Sequence, residues 1–105
     1  MKPIKPISKM NKLEERYSIN LDIAKRQGII EDWRYEAIRF KLGDGAYYKP
    51  DFLIVYKDYF EIHETKGHWR IAAKVRIKTA AMLYPWFKFK AIYYDKKKGF
   101  YSEDF

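Results

Sequence analysis

The sequence predicts a single α/β domain in the order helix, three strands, helix, strand: a mixed sheet with helices packed on it. Three observations predict it. An apolar stripe at helical spacing runs from Met10 to Ala24 and stops before Gly28. Three segments rich in aromatic and β-branched residues follow, separated by turn residues. A second helical segment, stopped by Pro85, then leads into the alternating run FKFKAIYY. At 105 residues there is material for one core and not two.

Residues 1–10 read as a basic flexible arm, with Lys2, Lys5 and Lys9 beside Pro3 and Pro6. Residues 10–95 form the core. The first helix spans about Met10 to Gln27, with Met10, Leu13, Tyr17, Leu21 and Ala24 on one stripe and Gly28 as the glycine that closes it. Glu31 to Phe40 is the first strand, and Gly43-Asp44-Gly45 a turn. Tyr47 to Tyr56 is the second strand, with Pro50 near its start. Lys57-Asp58 makes a two-residue hairpin loop into the third strand, Tyr59 to Lys66, which Gly67 releases. The second helix, His68 to Tyr84, carries Ile71, Val75, Thr79 and Met82 on the face expected inside, and Phe87 to Tyr94 is the fourth strand. Residues 96–105 read as a tail or a short extra element.

Composition narrows the function. Lys plus Arg is 22 and Asp plus Glu is 14, a net charge of +8, and the excess is lopsided. Residues 1–65 hold twelve basic and eleven acidic side chains; residues 66–105 hold ten and three. A basic half beside a neutral one suits a polyanionic partner. No cysteine is present, which excludes a disulfide scaffold, a thiolate zinc site and a cysteine nucleophile. The apolar runs are far shorter than the ~20 residues a membrane span requires, and residues 1–12 lack the apolar stretch of a secretory signal. An intracellular protein is expected, in the host cytoplasm if viral.

The hairpin brings chemistry together. With Lys57-Asp58 as its loop, Tyr56 faces Tyr59 and, counting outward, Asp51 faces Glu64. Directly opposed side chains have Cβ atoms ~5 Å apart, and like charges there are destabilising unless a cation lies between them. The loop lacks the glycine that would pin it, so a one-residue slip is the competing register. Strand alternation puts Ile62, Glu64 and Lys66 on one face with Asp51, Leu53 and Val55, which leaves Glu61 and His63 for the solvent side. On the first helix, with Leu13 at zero, Tyr17 falls at about 40°, Glu14 at about 100° and Glu15 at about 200°. Glu14 therefore reaches toward the sheet and Glu15 faces water. Three carboxylates make a hard oxygen site suited to Mg²⁺ or Mn²⁺. His63 and His68, five apart across a glycine turn, are a poor zinc site and read as surface.

Pro50-Asp51, twelve intervening residues, then Glu64-Thr65-Lys66 resembles the PD-(D/E)xK signature of the restriction-endonuclease-like nucleases. The element order is similar to that superfamily's common core. Glu14 stands where many members, Holliday-junction resolvases among them, place an acidic residue. The stretches KLEERY, WRYE, YKPDFLIVY and HETKG resemble a small group of phage-type nucleases over about residues 10–95. The resemblance implies that Asp51 and Glu64 ligate a divalent metal, with the Thr65 carbonyl as a further ligand and Glu14 completing or orienting the sphere. It implies that Lys66 orients or deprotonates the attacking water and stabilises charge on the phosphate.

The second helix supplies a phosphate-tracking edge through Arg70, Lys74, Arg76 and Lys78, joined by the arm lysines Lys2, Lys5 and Lys9. Trp69 either stacks on a base or packs, and packing is the commoner fate. The function expected is a Mg²⁺-dependent endonuclease on DNA, with branched DNA such as a Holliday junction as its substrate. With no domain for base readout, its specificity would come from shape and from the symmetry of a homodimer. A nicking, restriction-type or repair nuclease on duplex DNA is the second reading, and a basic nucleic-acid-binding protein without catalysis the third.

Overall fold

The computed structural model describes residues 9–105, so the expected arm lysines Lys2 and Lys5 lie outside the described residues. Helix α1 (Lys12–Arg26) begins at a capping box: the Asn11 side chain accepts from the Glu14 amide at 2.8 Å, and Glu14 Oε1 accepts from the Asn11 amide at 2.9 Å. It ends as expected at Gly28, whose positive φ of 76° lets Gly28 and Ile29 donate their amides to the Lys25 and Ala24 carbonyls.

Strands β1 (Asp32–Tyr35), β2 (Phe40–Gly43), β3 (Ala46–Tyr48), β4 (Phe52–Val55) and β5 (Phe60–Thr65) follow. Helix α2 (Ile71–Leu83) comes next, then β6 (Lys88–Asp95) and β7 (Gly99–Asp104). The main sheet is mixed, with five strands in the order β1-β4-β5-β6-β7; β5 and β6 are parallel and joined by α2, and the other neighbours are antiparallel. Strands β2 and β3 form a separate hairpin. No helix among the described residues is long and apolar enough to cross a membrane.

Three expectations need correction. The segments expected as two long strands each break in the middle. The first breaks at Glu36, where φ is 49° and the amide donates to the Asp51 carbonyl at 2.8 Å. The second breaks at Lys49-Pro50-Asp51, where buried Pro50 has no N–H for a ladder. The expected tail is edge strand β7, paired with β6 over its whole length; Asp95 Oδ1 accepts the Lys97 and Lys98 amides in the turn that leads to it.

The sheet is covered on both faces, and this changes which side chains are buried. Phe52 and Ile54 pack against Met10, Tyr17 and Leu21 on the α1 side, whereas Ile62 and Phe89 pack against Ile77 and Ala80 on the α2 side. Glu61 and His63 point to the α1 side and are buried there, not on the surface. Tyr17 Oη lies 2.6 Å from His63 Nδ1, and His63 Nε2 2.8 Å from Glu61 Oε1. Burial lowers the pKa of His63, so the ring is neutral: the phenol donates to Nδ1, and Nε2–H donates to the carboxylate. His68 is exposed, as expected.

Helix α2 is turned relative to expectation. Ile77 and Ala80 face the sheet, while Ile71 is 86% and Met82 74% exposed and Val75 also faces water. Apolar residues lie almost all round this helix, so periodicity could not set its phase. The small side chains Ala80 and Ala81 let it sit close over the aromatic layer of Phe40, Phe87 and Phe89.

The double-sided core predicts a contrast in stability. Phe52 is fully buried, with the Tyr17, Trp33 and Tyr35 rings 5.4, 5.7 and 5.5 Å away, so Phe52→Ala should cost about 3–5 kcal/mol in denaturant unfolding. Phe60→Ala, at the exposed start of β5, should cost about 1 kcal/mol or less. Similar costs for the two would contradict the packing.

Candidate active site at the ends of strands β4 and β5

The β4–β5 hairpin has the register counted from the sequence: Val55 faces Phe60 and Phe52 faces His63. Asp51, the residue before β4, therefore stands beside Glu64, and no one-residue slip occurs. The Asp51 amide donates to Glu64 Oε1 at 3.1 Å. Asp51 Oδ2 in turn accepts from the Thr65 amide at 2.9 Å and from the Thr65 hydroxyl at 2.8 Å. Tyr48 Oη donates to Glu64 Oε1 at 3.0 Å, and Lys66 Nζ lies 3.1 Å from Glu64 Oε2. The Lys66 amide is anchored on the Ile92 carbonyl at 2.9 Å, which fixes the chain just past the strand end.

Glu14 enters from α1 and is buried, whereas Glu15 is exposed, as the helical wheel requires. Besides its capping-box bond, Glu14 Oε1 accepts the Tyr35 hydroxyl at 3.0 Å. Its charge also reaches Asp51.

The electrostatics follow from this crowding. Burial first, then the charges of Glu64 and Glu14, push the Asp51 carboxyl up to about 8, against the opposing hydrogen bond from Thr65. Burial also raises Glu64, which Lys66, Tyr48 and the Asp51 amide partly offset. The Tyr48 phenol is pushed upward by burial and by Glu64, so it remains a donor at neutral pH. A buried carboxyl pushed up to about 8 beside a second, also raised one is a site that a cation would relieve.

The donor chemistry suits a hard divalent ion, with limits. Among the described residues no group of three or more histidine and carboxylate side chains is assembled to hold a metal. The set that fits is the Asp51–Glu64 pair with the Thr65 carbonyl, and water in the remaining positions; Mg²⁺ characteristically keeps several waters. Glu14, occupied by Asn11 and Tyr35, is placed to orient this pair through Asp51.

Comparison with family models, with curated proteins and with solved structures finds no match. The site is read from its own geometry.

Of the residues expected to track phosphates, Arg70, Arg76, Lys78 and Lys9 are exposed. Lys74 is half-buried, its ammonium 6.0 Å from the centre of the Trp69 ring. Trp69 packs: its Nε1–H donates to Tyr93 Oη, Phe105 meets it edge-on with centroids 5.8 Å apart, and Lys66 Nζ stands 5.3 Å from its ring centre. Sequence reasoning missed Tyr35, Glu36, Lys49 and Tyr48. Lys49 and Tyr48 adjoin the Pro50-Asp51 pair, and that proximity was the signal for them. Tyr35 and Glu36 arrive because β1 pairs with β4, which no local pattern encodes.

The two glutamates of α1 provide a test. Glu14→Gln should lower any metal-dependent activity by ~10²-fold or more while leaving the helix cap in place, because glutamine also completes a capping box. Glu15→Gln should change the rate by less than about twofold. Equal effects in a single-turnover assay would mean that Glu14 only caps its helix.

Proposed function

We propose that this chain is a metal-dependent endonuclease with a restriction-endonuclease-like core, hydrolysing phosphodiester bonds in DNA. One observation carries the reading: Asp51 and Glu64 stand side by side at the strand ends, with the Lys66 ammonium 3.1 Å from Glu64. In this reading Asp51, Glu64 and the Thr65 carbonyl would hold Mg²⁺ or Mn²⁺, whose chemistry there would be to polarise a phosphoryl oxygen and lower the pKa of water. Lys66 orients that water and faces the charge that develops on the phosphate. Glu14 orients Asp51, and Tyr48 holds Glu64 in place. Hydrolysis needs no covalent nucleophile: water's oxygen forms the new P–O bond, and the leaving sugar oxygen takes a proton.

The substrate we favour is branched DNA, bound by a homodimer. The exposed basic residues Arg70, Arg76 and Lys78 suit backbone contacts that read shape. Trp86, with Ile71 and Met82 on the outer side of α2, offers apolar surface for a second copy. The test compares a labelled four-way junction with a linear duplex of the same sequence, at equal Mg²⁺. Preferential cutting of the junction in two strands is expected. Equal or greater cutting of the duplex would assign a nicking, restriction-type or repair role instead.

A further inference from the structure

Beside Glu64 lies a cavity of about 120 Å³ whose lining includes Tyr48, Lys49, Glu64, Lys66, Trp69 and Arg76. Ligand pockets for drug-sized molecules begin near ~300 Å³, so this space is too small for a nucleoside but suits one tetrahedral oxyanion. Three of its seven lining residues are cations and one is a carboxylate. Lys66 is paired with Glu64, and Lys49 is bridged to Glu36 at 3.1 Å with about half of its side chain in water. Arg76 forms no salt bridge with any described residue. Arg76 is thus the cation of this hollow whose charge no salt bridge with a described carboxylate offsets, and an anion beside it would do so.

We infer that this cavity binds a second phosphoryl group, distinct from the one that is cut, with Arg76 and Lys49 as its ligands. The guanidinium presents a planar fork that matches two phosphoryl oxygens, and the Lys49 ammonium, lining the same cavity, adds a point charge. What the phosphoryl group belongs to rests on the nuclease reading; the binding itself does not. Two sources share this chemistry: a phosphodiester next to the scissile one, and a terminal phosphate at a strand end. Either would fix the register of a strand across Asp51 and Glu64, because the cavity shares Glu64 and Lys66 with that centre.

The experiment has two parts. Melting temperature is followed as inorganic phosphate replaces chloride at constant ionic strength in EDTA, for wild type, Arg76→Ala, Arg76→Gln, Lys49→Ala, Asp51→Asn and Lys78→Ala. A saturable rise is expected in wild type, Asp51→Asn and Lys78→Ala, and its loss in the Arg76 and Lys49 variants. The second part measures the affinity of a junction with and without 5′-phosphates in the absence of divalent metal. Arg76→Gln should weaken binding roughly tenfold, the cost of one charge-assisted hydrogen bond. Equal weakening for both substrates assigns an internal phosphodiester; weakening confined to the phosphorylated one assigns a terminal phosphate. A wild type indifferent to phosphate, or an equal rise in every variant, overturns the pocket. A wild type that binds phosphate in this way but cuts no DNA with Mg²⁺ leaves the pocket standing and overturns the nuclease reading alone.

Discussion

Asp51→Asn should abolish Mg²⁺-dependent cleavage, a loss of roughly 10³-fold or more, while DNA binding stays the same or tightens. Asparagine keeps the size of the side chain and an oxygen for the Thr65 amide and hydroxyl, so the strand ends stay in place. What it removes is the negative charge on the metal, and one repulsion toward the phosphate. The same variant has a signature that does not depend on activity. Without metal, the native state holds on Asp51 a proton that the unfolded chain releases near 3.8, because burial, Glu64 and Glu14 push the group up to about 8. A native state that binds more protons than the unfolded state loses stability as pH rises. In EDTA the wild type should therefore weaken between about pH 4 and pH 8 relative to Asp51→Asn, and the gap between their melting temperatures should widen across that window. Mg²⁺ at pH 8 should narrow the gap by raising the wild type more than the variant. Full cleavage by Asp51→Asn, or parallel stability curves, would contradict the assignment.

Lys66 and the outer lysines of α2 should separate catalysis from affinity. Lys66→Ala should reduce cleavage by about 10²–10³-fold and change affinity by no more than a few-fold, since its ammonium sits on Glu64 and acts most strongly on charge formed in the transition state. Replacing Lys74 and Lys78 together by alanine should weaken binding to every DNA sequence. It should also flatten the slope of log affinity against log salt by roughly one unit for each phosphate left without its cation. Lys78 is exposed and Lys74 stands over Trp69, and neither forms a salt bridge with Asp51 or Glu64. Binding measured against salt distinguishes the variants. If Lys66→Ala loses affinity as steeply as the double variant, Lys66 belongs to a basic patch and has no special role in the reaction.

The Asp51–Glu64 pair was readable because a short loop and clean alternation set one register, and register alone places Asp51 beside Glu64. The Glu14–Glu15 distinction was readable because a helix with one apolar stripe has a definite phase. Where these conditions failed, so did the reading. Helix α2 is apolar nearly all round, and only the aromatic layer beneath it decides that Ile77 and Ala80 face inward and Ile71 does not. Glu61 and His63 looked like surface because alternation assigns one wet face to a strand, whereas β5 is covered on both sides, and the Tyr17–His63–Glu61 chain satisfies the polar atoms buried there. Tyr35 and Glu36 reach the site through a pairing that skips the β2–β3 hairpin. Strand β7 has little apolar alternation of its own and forms by pairing along β6.

The central claim is that Asp51 and Glu64 make a divalent ion hydrolyse DNA. The measurement that tests it most directly is the fate of an end-labelled four-way junction incubated with the wild-type chain over a range of Mg²⁺ and Mn²⁺ concentrations, beside an EDTA control. Discrete cleavage products that appear with metal and vanish with EDTA are expected. Salt-sensitive binding with no cleavage at any metal concentration would contradict it, and would leave a basic protein that holds nucleic acid without cutting it.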